Sequence, residues 1–200
     1  MAALKSGETS PERTSVVILF AETRGFTRTS EMLDPSAVLA RVSDFFALVW
    51  AAVERQGGAV RNVLNDTLVA SFAGEGKALR AAQAAQAIQH DFVAFEETLE
   101  HGYGIRAAVA LGLHAGDAVI GSAGGPMPGQ SLIIGDSVSV AERLLHRARA
   151  GEYVMSKTVM DTLAGTEFAL EAKELPALEM PRREPIRLFG VLRDPRLDFT

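Results

Sequence analysis

Residues 16–21 read Val-Val-Ile-Leu-Phe-Ala, and Glu22, Thr23, Arg24 and Gly25 follow at once. A continuous apolar run that begins with β-branched residues predicts a strand buried on both faces. Such a strand needs cover on both sides, so the chain is expected to build a sheet flanked by helices. The run ends in a carboxylate and a short glycine turn. A chain that stops a buried strand on Glu22 exposes a charge and the backbone N–H groups of Gly25, Phe26 and Thr27 at one place.

The rest of the chain supplies the flanking elements. Asp34-Pro35 predicts a helix start, with a capping carboxylate and a proline at the first helical position. Val38, Val42, Phe45 and Val49 continue at helical spacing until Gly57-Gly58. Ala59–Val63 and Thr67–Phe72 predict a hairpin around Leu64-Asn65-Asp66. A second helix is expected from Lys77 to about Leu99, with Ala81, Ala85, Ile88, Phe92 and Phe95 on one stripe. Ile105, Ala107, Val109, Leu111 and Leu113 predict a half-buried strand, and Ala115-Gly116-Asp117 a turn into another, Ala118–Gly121. Gly124–Gly129 is expected as a protruding arm, Asp136–Arg149 as a third helix, and Ile186–Val191 as a last strand. Strand pairs joined by tight turns, mixed with helical crossovers, predict an α+β fold with a largely antiparallel sheet.

Composition narrows the function classes. The chain has 200 residues, of which 48% are hydrophobic and 22% charged, a globular balance with a real core. A net charge of -5 argues against a nucleic-acid partner. No cysteine is present, so disulfides and thiolate metal sites are excluded. The polar start MAALKSGETSPERTS has no apolar signal core, and no apolar run is read as reaching the roughly 20 residues of a membrane span. The expected location is therefore cytoplasmic, without a membrane partner.

Common nucleotide-loop and hydrolase signatures, GxxxxGK[ST], GxSxG and HExxH, are missing. What remains is Glu22 at a strand end and Asp66 in a hairpin turn. Hard oxygen donors beside a loop of backbone N–H groups suit a divalent cation and phosphate. The same two residues also fit a plain solvated strand end and turn.

Five segments in order carry a resemblance. "ILFAETRGFT" resembles "LFADIRGFT" of the class III adenylate and guanylate cyclases. "VRNVLNDTLVASF" is similar to their "VDKFIGDALMAVF", and "ALGLHAGDAVIGSAG" to "GIGIHTGEVVVGNIG". "SLIIGDSVSVAERL" is similar to "YTAIGDTVNLAARL", and "GEYVMSKTVMDTL" to "GQILISEATYELL". The resemblance spans about Val16 to Val191. It implies a ferredoxin-like cyclase fold, a mixed, largely antiparallel sheet with a protruding arm. The expected organisation is a cyclase-homology domain over 15–192 between tails at 1–14 and 193–200.

The resemblance also implies chemistry. Such enzymes close a nucleoside triphosphate into a cyclic nucleotide, the 3′-hydroxyl attacking the α-phosphate while pyrophosphate leaves. They use two Mg²⁺ or Mn²⁺ ions held by two carboxylates. Their sites lie at a head-to-tail dimer interface, one subunit giving metal ligands and the other the base-reading and transition-state groups. Carried onto this sequence, the metal positions are Glu22, where the family has Asp, and Asp66. The triphosphate loop is Gly25-Phe26-Thr27. The base-reading positions hold Asn62 in place of Lys and Leu132 in place of Asp or Thr. The ribose-orienting Asn falls on Ser139, the transition-state Arg on Arg143, and the phosphate-binding Lys on Met180, with Arg182 or Arg183 as substitutes. Glu22 is conservative; the changes at Asn62, Leu132, Ser139 and Met180 are not. The expectation is a homodimeric signalling domain that binds a nucleoside triphosphate, with weak or absent cyclisation and a regulatory partner still to be identified. The alternative is an active cyclase with altered base selectivity.

Other residues read as structural. His114 is expected as a satisfied buried histidine and Trp50 as packing. Arg24 is expected to pair with Glu22 or face solvent. Asp136 is expected as a helix cap, and Arg147 and Arg149 as partners of a helix dipole.

Overall fold

The computed structural model describes residues 12–122 and 131–194. The expected arm, Gly124–Gly129, and most of both tails lie outside the described residues.

The first half is a βαββαβ unit. β1 (Glu12–Arg24) is followed by a short α1 (Phe26–Met32) and the long α2 (Pro35–Arg55). The hairpin β2 (Ala59–Leu64) and β3 (Thr67–Ala73) comes next, then α3 (Lys77–Tyr103) and β4 (Ala108–Ser122). These four strands lie side by side in the order β2-β3-β1-β4, all antiparallel, which is the ferredoxin-like arrangement. The sheet then extends through β6 (Glu152–Ser156), β8 (Ile186–Leu192) and β7 (Lys173–Leu178), with β6 parallel to β4. β5 (Ser131–Ile134) pairs with the far end of β4. The helices α4 (Asp136–Arg147), α5 (Lys157–Met160) and α6 (Glu167–Glu171) complete the fold.

Alternation along β1 divides the core. Val17, Leu19 and Ala21 join α2 and α3 on one face; Val16, Ile18 and Phe20 join α4 on the other. The cover on both sides predicted from residues 16–21 is therefore present, and all six are buried.

The local signals hold at α2 and the hairpin. Asp34 caps α2 by accepting from the Ser36 backbone N–H at 2.9 Å, with Pro35 at the first position. Asn65 takes a left-handed φ of 53° in the β2–β3 turn.

Several expectations are corrected. Ala115-Gly116-Asp117 does not turn: β4 runs straight through it, paired residue by residue with β1 from Arg24↔Ala108 to Glu12↔Ile120. Gly116 makes a close approach to Ser137 instead of a bend. Residues 107–111 are buried without alternation, because α3 and α4 cover the two faces of this central strand. β1 begins at Glu12, inside the stretch expected as tail. Trp50 is 45% exposed on the outer side of α2 rather than packed. α2 itself is long and apolar enough to cross a membrane by length and mean hydropathy (1.6), contrary to the sequence reading. Here its Phe45, Val49, Ala52 and Val53 face is buried in the core shared with the sheet.

At α4, Gly135 occupies the N-cap and Asp136 is the first helical residue. Asp136 does not cap; its carboxylate takes two hydrogen bonds from Arg183, at 2.6 and 2.9 Å. Arg149 lies beyond the helix and grips the buried Glu152 with two side-chain nitrogens. Two glycines set how closely α4 approaches the sheet. A Cβ on Gly112 would stand 2.3 Å from the Leu145 nitrogen and 2.5 Å from the Ala141 oxygen, and one on Gly116 would stand 2.2 Å from the Ser137 Oγ.

Candidate active site

The carboxylate corner is built by strand register. Glu22 pairs with Thr67, which places it beside Asp66 at the start of β3. Asp66 titrates above the usual carboxylate range, first because it is partly buried and second because Glu22 brings a like charge. Arg24 also faces this corner. Its Nη1 ion-pairs with Glu22, and its Nη2 donates to the carbonyls of Leu145 (2.8 Å) and Ala148 (3.1 Å) at the end of α4. Of the two roles open to Arg24, pairing is the one observed.

Gly25 is the hinge between β1 and α1. Its φ is 93°, and a Cβ there would lie 2.5 Å from the Arg106 carbonyl oxygen. The segment after it is not an open loop: Phe26 and Thr27 start α1. The first N–H groups of a helix have no intrahelical acceptor, so the donors implied for Phe26 and Thr27 remain available. A cavity of about 740 Å³ opens beside Gly25 and Thr27, with Arg28, Glu31 and Arg106 on its wall.

Asn62 and Leu132, assigned to base reading, do come together. They line one groove of about 260 Å³ with Phe20, Thr67, Val138 and Glu142. A bulge between Val60 and Asn62 sets the register of Asn62. The Asn62 Oδ1 accepts from the Val63 N–H at 2.9 Å. The groove is mainly apolar, and Leu132 offers no polar group toward it. Sequence reading does not single out Phe20, Thr67, Val138 or Glu142. The available signals are that Phe20 lies two residues before Glu22, and that Val138 and Glu142 share a helical face at i, i+4.

Arg143 and Met180 are also neighbours. The Arg143 Nη1 lies 3.1 Å from the Met180 Sδ, and Met180 is 9% exposed. Thioether sulfur is a weak acceptor, so the guanidinium keeps most of its donors. Ser139 is exposed on α4, one turn before Arg143. Arg183, one of the two possible substitutes for the phosphate-binding lysine, forms a surface ion pair with Asp136. His114 is a satisfied structural histidine: its Nδ1 meets the Ser156 Oγ at 2.8 Å, and burial holds its pKa down to about 4.

Among the described residues no ion pair or side-chain hydrogen bond joins Glu22 and Asp66 to Ser139, Arg143 or Met180. The carboxylate corner and the Arg143–Met180 pair are thus two half-sites with no direct bond between them.

The donor chemistry of the first half fits a hard divalent cation. Two carboxylates share a partly buried corner with Asp66 pushed upward, and Arg24 offsets part of that charge, which a bound cation would relieve further. No group of three or more metal-binding side chains occurs among the described residues. Further ligands would have to be backbone oxygens, water or phosphate.

Comparison with known proteins supplies the context. The sequence pattern of the adenylate and guanylate cyclase catalytic domain matches residues 8–190. An adenylate cyclase of Anabaena cylindrica is 31% identical over 183 residues, 88% of this chain and 36% of that protein. The chain thus spans about a third of this curated relative. The adenylyl cyclase CyaB from P. aeruginosa superposes with a TM-score of 0.83 at 19% identity, covering 94% of this chain and 99% of that one. The dimeric guanylyl cyclase domain of the RhoGC fusion protein from Blastocladiella emersonii superposes with a TM-score of 0.77 at 18% identity, covering 90% and 98%.

Proposed function

Because the chain belongs to the adenylate and guanylate cyclase catalytic domain family, we propose that it is a nucleoside-triphosphate-binding homodimer with weak or absent cyclisation. Its setting would be cyclic-nucleotide signalling in the cytoplasm. The observation that carries this reading is the Arg143–Met180 contact. A thioether stands beside the transition-state arginine, where the family pattern has a lysine for the phosphates.

Each half-site has a role in this reading. Glu22 and Asp66 would hold Mg²⁺ or Mn²⁺, which when bound activates the 3′-hydroxyl and neutralises phosphate charge. Gly25, Phe26 and Thr27 direct backbone N–H groups at the triphosphate. The Asn62–Leu132 groove takes the base by apolar contact, with Asn62 able to donate and accept. Arg143 stabilises charge on the reacting phosphate. Ser139 is too short to orient the ribose as asparagine would, and Met180 supplies no charge. Losing one such transition-state donor costs about 10²–10³ in rate, so their joint loss leaves binding with little turnover.

Two copies placed head to tail would bring one chain's carboxylates to the other chain's Arg143, which suits half-sites that do not touch within one chain. The expected interface buries about 1,200–2,000 Å² in total and includes the segment 121–131. Light scattering at micromolar concentration checks this; a monomer with and without nucleotide contradicts it. Glu22, one methylene longer than aspartate, should favour Mn²⁺ over the stricter Mg²⁺, as read by calorimetric titration of each. The deciding experiment incubates the protein with ATP, GTP, CTP and UTP and either ion, and reads products by mass. Bound nucleotide with little cyclic product is expected. Robust product would establish the active cyclase with altered base choice instead.

A further inference from the structure

The groove that holds Asn62 and Leu132 contains a charged group that the base-reading positions do not include. Glu142 lines it from α4, one turn after Val138, which lines it too. Glu142 is exposed, so a molecule in the groove can reach its carboxylate. Among the described residues that carboxylate has no ion pair and no hydrogen bond. Neither neighbouring cation takes it. Arg61, beside Asn62 in β2, donates to the hydroxyls of Ser71 (2.8 Å) and Ser131 (3.1 Å), and Arg143 meets Met180. The family segment similar to "SLIIGDSVSVAERL" carries alanine at this position, so the carboxylate is an addition to the groove.

The donors and acceptors of the groove decide which base fits. An ionised carboxylate only accepts, and its two oxygens stand side by side. Asn62 has its Oδ1 engaged by the Val63 N–H at 2.9 Å, which leaves its amide N–H groups to donate. Thr67, the remaining polar side chain of the groove, can donate or accept and so does not choose. The groove thus offers a pair of acceptors from α4 and a donor from β2, among the apolar side chains of Phe20, Leu132 and Val138. Among the common bases, guanine alone carries two adjacent donors, N1–H and the 2-amino group, followed by an acceptor, O6. Adenine and cytosine offer one amino group beside a ring nitrogen whose lone pair would face a carboxylate oxygen. Uracil offers a single N–H between two carbonyls. Two parallel hydrogen bonds to one carboxylate are the stronger, charge-assisted kind.

We propose that Glu142 selects the base, and that the groove takes guanine in preference to adenine. The carboxylate accepts from N1–H and the 2-amino group while the Asn62 amide donates to O6. This assignment rests on the nucleotide-binding reading above and sharpens it from a nucleoside triphosphate to a guanine nucleotide. Leu132 then packs against the ring, because β2 and α4 meet its polar edge.

The test titrates the whole chain, by calorimetry with Mn²⁺, with the 3′-deoxy forms of GTP, inosine triphosphate and ATP, which lack the attacking hydroxyl. The guanine nucleotide should bind at least about tenfold tighter than the adenine one. Inosine keeps N1–H and O6 but lacks the 2-amino group, and should bind about fivefold more weakly than guanine. Glu142→Ala should weaken the guanine nucleotide about tenfold and erase the difference between guanine and inosine. Glu142→Gln, which replaces one acceptor by a donor, should weaken it about fivefold. Glu142 is exposed, so neither variant opens the core, and circular dichroism checks the fold. Equal binding of guanine and adenine, tighter binding of adenine, or a guanine–inosine difference that survives Glu142→Ala overturns the assignment and leaves the nucleotide reading standing. Binding of none of the three overturns the nucleotide reading, and the assignment falls with it.

Discussion

The two half-sites differ in what they are made of. The carboxylate corner rests on backbone geometry: a left-handed Gly25 pressed against the Arg106 carbonyl, a strand register that sets Glu22 at Thr67, and a turn that carries Asp66. Relative to the family pattern it has changed by one methylene. The other half rests on side-chain identity at Leu132, Ser139, Arg143 and Met180, and there only Arg143 keeps the expected group. Yet the frame of the second half is as tight as that of the first, with α4 seated on Gly112 and Gly116. The same close-packed frame would thus carry either the family's side chains or these, since Leu132, Ser139 and Met180 leave the seat of α4 on Gly112 and Gly116 untouched. Frame and chemistry are separable because packing is read by backbone and volume, whereas catalysis is read by donors and charges.

The largest expected effect breaks the frame of the second half. Gly112→Val puts carbon into α4 backbone atoms at 2.3–2.5 Å, and these cannot swing aside as a side-chain tip would. Destabilisation of about 3 kcal/mol or more is expected in urea unfolding. A change under 1 kcal/mol would mean that α4 is not held where it is described.

Next comes pH, through His114 beneath the same helix. Its folded pKa, about 4, lies below its ordinary 6.5, so between these values the unfolded chain binds more protons. Stability is then fully present above pH 6.5 and is lost as pH falls toward 4, by about 3 kcal/mol at most. Denaturant midpoints from pH 7 to 4.5 should fall more steeply for the wild type than for His114→Gln. Parallel curves would show that His114 is not buried neutral.

Gly25→Ala probes the frame of the first half. The positive φ and the Arg106 carbonyl together predict a loss of about 2 kcal/mol and weaker triphosphate binding. Unaltered affinity for a fluorescent nucleotide would remove the loop from the phosphate site.

The smallest effect restores chemistry without touching frame. Ser139→Asn, Asn62→Lys, Leu132→Asp and Met180→Lys together should raise cyclic product at least about tenfold, because these groups act in one transition state. Glu22→Asp alone should not. Full activity from Glu22→Asp alone would place the whole defect at the carboxylate corner and reverse the comparison.

The sequence by itself determined the buried β1, the α2 start at Asp34-Pro35, the β2–β3 hairpin and the order of the family segments. Each of these signals is local: an apolar run, a cap, a turn residue. It also paired Asn62 with Leu132 through the resemblance, 70 residues apart as they are in the chain. Tertiary structure decided what local signals cannot reach. Ala115-Gly116-Asp117 reads as a turn by composition, but its glycine serves the approach of Ser137, and thirteen rungs of pairing with β1 keep β4 straight. Asp136 reads as a cap, but Arg183, 47 residues on, takes its carboxylate. Trp50 reads as core, yet α2 turns it outward because Val49 already fills the inward position. Which neighbour a polar or aromatic side chain meets depends on how elements dock, and docking energy is summed over the whole core rather than written in any one stretch of chain.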